Sequence, residues 1–267
     1  MAYRILSAFI ILLFFSTAFS AEENFRIVDQ KELPNQLGTF RTIEFNTSDH
    51  EAATLYAVTF NRDYHANFHL QENVIQFFAN YLDAFTHNHD FIVGINGGFY
   101  YPDFTPAGLL IYHGKTVKPL VRSSIFKACV LIDSTQKIRL ETDLDQCKKA
   151  TNAMQTGPLL IENGKVNTDL LRIQQKSKSL AAFFNPHKRT LLALTGQNRL
   201  VMITTSPLAL FDVARFLQDH PDAVGATHIQ MAVNLDGGSS TGMYIRFPDQ
   251  PFYFHELKHV KTFIFIN

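Results

Sequence analysis

The sequence predicts an α+β fold, in which a single mixed domain is built largely of antiparallel sheet with a few packed helices. Three observations support this prediction. Short apolar segments recur along the chain, and pairs such as Asn163-Gly164 separate them and favour β-hairpins. Two longer segments place apolar residues at helical spacing. The 267-residue sequence has no internal repeat, low-complexity tract or interdomain linker.

Composition and charge argue against several classes of protein. Hydrophobic residues make up 46% of the chain and charged residues 18%, which is too apolar for general disorder. The 24 basic residues equal the 24 acidic residues, so there is no electrostatic basis for a nucleic-acid partner or an anionic membrane partner. Two cysteines are too few for a disulfide-rich scaffold or a four-thiolate metal site.

The N-terminal segment has the layout of a secretory signal peptide. Arg4 gives a positive start, residues 5–15 are apolar, and Ala18-Phe19-Ser20 is a small-x-small cleavage sequence. We expect cleavage after Ser20 and a secreted or periplasmic protein; an uncleaved N-terminal anchor is the alternative. No later stretch reaches the ~18 apolar residues of a membrane span, so no stable membrane insertion is expected after cleavage. The expected organisation is a signal peptide at 1–20, an N-terminal extension at 21–53 and one domain at 54–267.

Export would place Cys129 and Cys147 in an oxidising compartment, where a disulfide between them is plausible. Two unpaired buried thiols are the alternative, because the sequence gives no distance between them. Neither cysteine lies near a histidine in sequence, so a thiol nucleophile has little support.

The elements follow from periodicity and turn residues. A first helix is predicted at 68–85, where apolar residues recur at steps of three and four. A second is predicted from Ser206, as cap, with Pro207 in the first turn, to Asp219 before Pro221. Strands are predicted at 54–60, 91–95, 229–235, 243–247 and 260–266, and hairpins at 108–117, 159–166 and 190–204.

Two of the predicted buried strands end in the same type of loop. Asn96-Gly97-Gly98 follows the first, and Asp236-Gly237-Gly238-Ser239-Ser240 follows the second. Paired glycines allow a tight turn that points consecutive N–H groups at an anion, and the two serines add hydroxyl donors. Asp236 is a candidate base, nucleophile or metal ligand. The alternative is two ordinary glycine turns with a capping Asp.

Two further segments carry candidate binding groups. Gln155-Thr156-Gly157 enters a strand, and the Gln and Thr side chains can hydrogen-bond sugar hydroxyls; a simple turn is the alternative. Arg189 precedes a strand, where a guanidinium can hold a phosphate with two hydrogen bonds; a surface cation is the alternative.

The histidines do not predict a metal site. His255-Glu256-Leu257-Lys258-His259 fits the zinc motif H-E-x-x-H, but that motif requires a helix, and the flanking residues favour strands. The ligand-spaced pairs His65/His69 and His87/His89 are expected to be solvated. We therefore expect no bound metal.

Five segments in order resemble the phosphodiester glycosidase family: FIVGINGGFY, TPAGLLIYHGK, MQTGPLLIENGK, KRTLLAL and VNLDGGSSTGMY. The resemblance spans residues 54–267, and NLDGGSS and GINGGF are its specific parts. It implies a mixed α/β fold, a site at the loops described above and no organic cofactor. The chain departs from the family at Ala193, where Gly is common, and at Lys258-His259, where an Arg is usual.

The resemblance also implies roles for individual residues. The expected reaction breaks the C1–O bond of a sugar 1-phosphodiester, which needs positive potential for the departing phosphate and a carboxylate at C1. Asp236 and Arg189 are the expected catalytic residues. Expected substrate-binding residues are Asn96, Gly97, Gly98, Gln155, Thr156, Gly157, Gly237, Gly238, Ser239 and Ser240. The alternatives are a metal-dependent phosphodiesterase, for which no ligand spacing is convincing, and a non-catalytic exported protein that binds a glycan or sugar phosphate.

Overall fold

Every strand pairing in the described part of the chain is antiparallel. The structure is a computed structural model that describes residues 25–47, 49, 51–61, 63–71, 90–170, 172, 184–255, 257–258 and 260–267. Its strands are β1 (Phe25–Glu32), β2 (Gly38–Asn46), β3 (Ala52–Phe60), β4 (Ala66–Leu70), β5 (Val93–Asn96), β6 (Leu110–Tyr112), β7 (Lys115–Lys118), β8 (Ala128–Ile132), β9 (Ile138–Glu141), β10 (Asn152–Thr156), β11 (Leu159–Glu162), β12 (Lys165–Val166), β13 (Thr190–Thr195), β14 (Leu200–Thr205), β15 (Ile229–Asn234), β16 (Met243–Ile245), β17 (Phe252–Phe254) and β18 (Thr262–Ile266). Two α-helices are described, α1 (Leu144–Cys147) and α2 (Leu210–Asp219).

These strands form three sheets. The largest has eight strands in the order β1-β2-β3-β14-β13-β15-β11-β12. One five-stranded sheet has the order β7-β6-β10-β8-β9, and the other has the order β17-β16-β5-β18-β4. The prediction of a largely antiparallel fold is confirmed, and the described residues are more strongly β than an even mixture of helix and strand.

Two cores lie on opposite faces of the eight-stranded sheet, because side chains alternate between faces along a strand. Met202 joins a core with residues of both five-stranded sheets, including Val130 and Ile264. Val201 and Ile203, its neighbours on β14, face the other core. Both five-stranded sheets therefore pack on one face of the large sheet.

Helix α2 covers the second core. Leu210, Val213, Ala214 and Leu217 are buried at helical spacing and pack in that core. The helix ends at Asp219 as predicted, but its predicted start is wrong. Ser206 does not cap it, because its Oγ accepts a hydrogen bond from Thr54 N–H at 2.9 Å. Residue 208 instead forms a β-bridge with residue 187, and the helix begins at residue 210.

The segment before residue 54 belongs to the large sheet. β1 and β2 pair with each other, and β2 pairs with β3. The expected boundary between residues 53 and 54 falls inside β3. The expected signal peptide and most of the first predicted helix lie outside the described residues, whereas residues 68–70 of that helix lie in β4. None of the described helices is long and apolar enough to cross a membrane.

A disulfide joins Cys129 in β8 to Cys147 in α1, with 6.3 Å between the Cα atoms. The bridge closes a loop of 18 residues. Replacing both cysteines with Ala is expected to lower the free energy of unfolding by about 3 kcal/mol, because the unfolded chain regains the entropy of that loop. Urea denaturation measures this, and reduced wild-type protein should show the same loss. An unchanged free energy of unfolding would contradict the prediction.

Candidate active site

A cavity of about 920 Å³ lies where strands of the eight-stranded sheet end beside strands of the five-stranded sheet that contains β5. Antiparallel pairing places the start of each strand beside the end of its neighbour. Leu191 near the start of β13 therefore pairs with Asn234 at the end of β15, and Asn96 at the end of β5 pairs with Phe263 near the start of β18. This register brings Arg189 and Asp236, which are remote in sequence, to one cavity.

Asn96 joins the two glycine loops. Its Nδ2 donates a hydrogen bond to Asp236 O at 2.7 Å, and its Oδ1 accepts hydrogen bonds from Thr190 Oγ1 at 2.6 Å and Gly242 N–H at 3.0 Å. The side chain is fully buried, and Asn96 does not line the cavity. The expected substrate contact is corrected to a positioning role, because the amide is occupied by protein groups.

The first glycine loop fits against Thr262 rather than presenting its amides to an anion. Gly97 N–H donates to Thr262 O at 2.7 Å, and Gly98 N–H donates to Thr262 Oγ1 at 3.0 Å. A Cβ on Gly97 would lie 2.4 Å from Thr262 Oγ1, and one on Gly98 would lie 2.7 Å from Met154 Sδ. These glycines permit close approach of other chain segments. Gly98 lines the cavity, whereas Gly97 lies behind it.

The second glycine loop forms one wall of the cavity, and Gly237, Gly238, Ser239 and Ser240 all line it. Gly238 N–H donates to Lys188 O at 2.7 Å, which ties the loop to the residue before Arg189. Gly238 has a φ of 62°, the left-handed conformation that glycine adopts without strain. The structure thus places all four residues at the cavity wall, although the N–H groups of Gly237, Gly238 and Ser240 donate to protein oxygens.

Asp236 lines the same cavity as Arg189 and carries an unusual carboxyl group. Burial raises its pKa to about 6, although hydrogen bonds from the Ser240 side chain and Gly237 N–H and the charge of Lys258 oppose the shift. The Gly237 hydrogen bond reaches Oδ1 at 2.9 Å. A carboxyl group with this pKa exchanges a proton readily near pH 6, which suits acid–base chemistry.

The raised pKa predicts a pH-dependent cost to folding. The folded Asp236 has a pKa of about 6, whereas an ordinary Asp side chain has a pKa of 3.8, so the free energy of unfolding falls as pH rises through this window. Asp236→Asn should therefore raise the free energy of unfolding by up to about 3 kcal/mol at pH 7.5, and the gain should vanish below pH 4. Urea titrations at both pH values test this, with the exposed Asp249→Asn as control. An equal gain at both pH values would exclude linkage to the Asp236 proton.

Tyr100 was not predicted, although it follows the first glycine pair by two residues. It lines the cavity, and its hydroxyl hydrogen-bonds with the Thr262 side chain. Burial raises the pKa of Tyr100, and the nearby negative charge of Asp236 raises it further. The phenol is therefore a neutral hydroxyl beside Asp236 at any physiological pH.

Arg189 supplies a buried positive charge. Its Nε donates to Leu208 O at 2.9 Å and its Nη2 donates to Asn185 O at 2.5 Å. Burial lowers its pKa to about 10, which still leaves the guanidinium charged at neutral pH. The residue is 3% exposed and lines the cavity. Lys258 and Lys261, which the sequence did not assign to the site, line it as well.

An aromatic turn forms the rim. Tyr101 and Phe104 line the cavity and are 52% and 39% exposed. Tyr101 N–H donates to Thr105 O at 2.9 Å, and Asp103 Oδ1 accepts hydrogen bonds from Thr105 N–H at 2.9 Å and Thr105 Oγ1 at 2.7 Å. Phe104 has a φ of 63°, which is uncommon for a bulky residue. Exposed rings held in this way offer apolar faces at the mouth of the cavity.

Gln155 does not line the cavity. Its Oε1 accepts hydrogen bonds from Leu109 N–H at 2.9 Å and Val121 N–H at 3.1 Å. Its Nε2 donates to Val121 O at 2.7 Å and Phe126 O at 2.8 Å. The expected sugar contact is corrected to a structural role, because all four hydrogen-bonding positions of the amide are satisfied by backbone.

Thr156 and Gly157 also lie behind the cavity rather than in it. Thr156 Oγ1 donates to Asn234 O at 2.6 Å, and Asn234 Nδ2 donates to Gly157 O at 3.4 Å. They were expected to contact substrate. In the structure they instead hold Asn234, which does line the cavity.

The described residues include no group of three or more His, Cys, Asp or Glu side chains placed to hold a metal ion. His255 follows β17, whereas Glu256, His259 and the pair His87/His89 lie outside the described residues.

Comparisons with known proteins give the family and related folds. The family model for phosphodiester glycosidase matches residues 89–266. The catalytic domain of zebrafish N-acetylglucosamine-1-phosphodiester alpha-N-acetylglucosaminidase, auto-inhibited by its pro-peptide, superposes with a TM-score of 0.61 and 16% identity, over 93% of this chain and 85% of that one. A hypothetical protein from Synechocystis superposes with a TM-score of 0.56 and 14% identity, over 86% of this chain and 62% of that one.

A search of curated proteins finds no match. At these identities, the structural likeness shows a shared fold alone. The family model covers more than half of the sequence and includes both glycine loops, Arg189 and Asp236. The chain belongs to the phosphodiester glycosidase family.

Proposed function

We propose that this chain is an exported hydrolase that cleaves the C1–O bond of a sugar 1-phosphodiester. The observation that carries the proposal is the presence, in one cavity, of a carboxyl group with a pKa of about 6 and a buried guanidinium. The reaction requires both groups, because negative charge leaves with the phosphate while positive charge develops at the sugar carbon.

Asp236 is assigned to the sugar carbon. Above about pH 6 its carboxylate is ionised and can attack C1, stabilise the positive charge that develops there or activate water. Asn96 Nδ2 and Gly97 O hold the backbone of Asp236, and the Gly237 N–H that donates to Oδ1 orients the carboxylate. The Tyr100 hydroxyl stays neutral and supplies a polar group beside it.

Arg189 is assigned to the departing phosphate. Its bonds to two backbone carbonyls hold the guanidinium in place before a substrate arrives, so little reorganisation is needed during the reaction. Lys258 and Lys261 add positive charge at the same cavity. A phosphate monoester is already a good leaving group, so with this positive charge beside it the leaving oxygen has little need of a proton from a strong general acid.

The turn at residues 101–104 is assigned to binding, either of the sugar or of the group beyond the phosphate. Tyr101 and Phe104 present exposed rings at the rim, and sugars stack their apolar faces on such rings. The zebrafish enzyme is named for an N-acetylglucosamine 1-phosphodiester, which makes this sugar the first substrate to assay.

The decisive assay follows oxygen from water. Hydrolysis in H₂¹⁸O puts the label on the sugar hydroxyl if C1–O breaks and on the phosphate if P–O breaks. We expect labelled sugar and unlabelled phosphate monoester, with the same rate in EDTA. Labelled phosphate together with loss of rate in EDTA would favour a metal-dependent phosphodiesterase. Tight binding with no products would favour a non-catalytic binding protein.

Export is the remaining part of the proposal. It rests on the N-terminal pattern of Arg4, the apolar residues 5–15 and the small-x-small sequence before Ala21. The disulfide between Cys129 and Cys147 suits an oxidising compartment. Mass spectrometry of the protein from its own cells should give a chain that starts at Ala21, and an intact Met1 start in a cytosolic fraction would overturn export.

A further inference from the structure

Apolar side chains are exposed at the mouth of the cavity that holds Asp236 and Arg189. Tyr101, Phe104 and Leu257 line this cavity and are 52%, 39% and 69% exposed. The other large hydrophobic side chains that are exposed in the described part of the chain lie on the edge strands β1 and β7. Exposed apolar side chains that gather around one concave site indicate that apolar surface binds there.

Leu257 is the most exposed of these side chains, and its backbone is held in place. Leu257 N–H donates to Ser239 O at 2.7 Å, and Lys258 N–H donates to the same oxygen at 3.1 Å. Ser239 belongs to the second glycine loop, so the leucine is fixed to the loop that begins at Asp236. A sugar stacks its apolar face on a flat ring, which an aliphatic side chain does not offer. Leu257 therefore suits an alkyl group better than a second sugar.

Phe104 keeps its ring at the rim in a strained backbone conformation. Its φ of 63° is left-handed, which is an outlier for a bulky residue, whereas Asn and Gly adopt it more readily. Because the ring is also exposed, packing inside the protein compensates only part of this strain. A strained residue at a cavity points to a role in binding.

Positive charge lies beside the apolar side chains. Lys258 follows Leu257 in sequence and lines the cavity together with Lys261. The charge of Lys258 acts on Asp236, since it opposes the rise in the pKa of that carboxyl group. Arg189 lines the same cavity. A cationic cavity with an apolar mouth is complementary to an anion that carries an apolar group.

The cavity is also larger than a sugar phosphate requires. Its volume of about 920 Å³ lies near the upper end of the range of ~300–1,000 Å³ that accommodates drug-sized ligands. A sugar phosphate is smaller than such a ligand, so the apolar mouth would still face water after it had bound. An apolar group attached to the phosphate would remove that contact with water, which is favourable.

We infer that the phosphodiester substrate carries an alkyl chain, as a lipid does, on the side of the phosphate away from the sugar. This inference rests on the proposed function and adds the chemical class of the second alcohol. The chain contacts Tyr101, Phe104 and Leu257. Because the chain does not react, these contacts are equal in the ground state and the transition state, so they lower KM and leave kcat unchanged.

The test is a series of N-acetylglucosamine 1-phosphate esters with methyl, butyl and hexyl alcohols, which react alike without enzyme and stay monomeric in water. The kcat/KM of wild type should rise about twofold to fourfold for each added methylene group, through a fall in KM. An ester with a second sugar in place of the hexyl group should have a higher KM than the hexyl ester. No rise with chain length, or a lower KM for the second sugar, would overturn the inference and leave the hydrolase intact.

Two variants test the rim residues. Leu257→Asn nearly keeps the size of the side chain and removes its apolar character. Phe104→Asn removes the ring and introduces a residue that tolerates the left-handed conformation, so the turn should keep its shape. In each variant, the ratio of kcat/KM on the hexyl ester to kcat/KM on the methyl ester should fall by at least about threefold.

Ile27→Asn is the matched control for Leu257→Asn. Ile27 is an isomer of leucine, is 40% exposed and does not line the cavity, so its hexyl-to-methyl ratio should equal that of wild type. A fall in only one rim variant supports the inference and names the residue that the chain contacts. An unchanged ratio in both rim variants would overturn the inference. If neither rim variant folds, the wild-type series decides.

Binding measurements separate the remaining outcomes. If wild type hydrolyses none of the esters, calorimetry with the hexyl and methyl esters decides. Tighter binding of the hexyl ester would keep the ligand class and overturn only the hydrolase, whereas equal or absent binding would overturn both. Binding of wild type to phosphatidylcholine vesicles, together with no rise in kcat/KM with chain length, would assign the exposed side chains to a membrane surface and overturn the inference.

Discussion

Asp236→Asn is expected to lower kcat on a sugar 1-phosphodiester by at least about 10³-fold, because the amide can neither attack C1 nor take up a proton. The side chain keeps an oxygen to accept the Gly237 N–H, so the loop should keep its shape. Wild type should lose activity below about pH 6 as the carboxylate is protonated. The residual activity of the variant should lack that acid limb. Initial rates from pH 4 to 8 measure both effects.

The exposed Asp249→Asn is the control for Asp236→Asn, since it makes the same chemical change away from the cavity. It should keep both the rate and the pH profile of wild type. Circular dichroism separates lost chemistry from lost fold. Near-normal turnover by folded Asp236→Asn would remove Asp236 from the mechanism.

Arg189→Met is expected to lower kcat/KM on the phosphodiester by about 10²-fold to 10³-fold, because the guanidinium acts on charge that grows as the phosphate departs. A neutral aryl glycoside of the same sugar releases no phosphate, so its kcat/KM should fall by less than about tenfold. Steady-state kinetics on this pair of substrates measures the difference. Equal losses on both would assign Arg189 a purely structural role.

Arg199→Met is the control for the structural part of the Arg189 change. Arg199 Nε also donates to a backbone carbonyl, Phe60 O at 3.0 Å, and its Nη1 donates to Gly225 O at 3.4 Å, yet the residue does not line the cavity. Any loss in this variant should be equal on the two substrates. Arg189→Lys keeps the charge without the planar fork and should fall between wild type and Arg189→Met.

The sequence predicts the loops of the site because strand ends are recognisable, and the resemblance to the phosphodiester glycosidase family implies that these loops share one site. The loops after β5 and β15 carry paired glycines, and Arg189 precedes an evident strand. The antiparallel register of β13 and β15 then brings these points together, and that register cannot be derived from one strand alone. The residue types were therefore predictable, whereas their distances were not.

The roles of individual polar residues were the least predictable part. Gln155 and Asn96 have side-chain amides that could hydrogen-bond a sugar, but both amides hydrogen-bond other parts of the protein. Asn234 was overlooked because its sequence position, at the end of a strand, resembles that of any buried strand residue. Whether an amide serves a substrate or the fold depends on which atoms face it, and only the tertiary structure gives that information.

The first two strands show a different limit. β1 is an edge strand with few buried positions, and Ile27 and Val28 are 40% and 41% exposed. A strand with little core contact shows little alternation, so hydrophobic periodicity does not identify it. The predicted start of α2 is wrong for a different reason: Ser206 hydrogen-bonds to Thr54, a residue 152 positions away, and does not cap the helix.

The turn at residues 101–104 is closed by its own hydrogen bonds. Asp103 and Thr105 bond to each other, and Tyr100 bridges to Pro106 at its base. Asp236 and Arg189 are held by a separate set of contacts. Exchanging these few rim residues should therefore alter which sugar, or which group beyond the phosphate, is accepted, while Asp236 and Arg189 keep their positions. If the proposed function holds, this one short peptide is the segment whose exchange, by engineering or by natural divergence, redirects the protein to a new glycoconjugate.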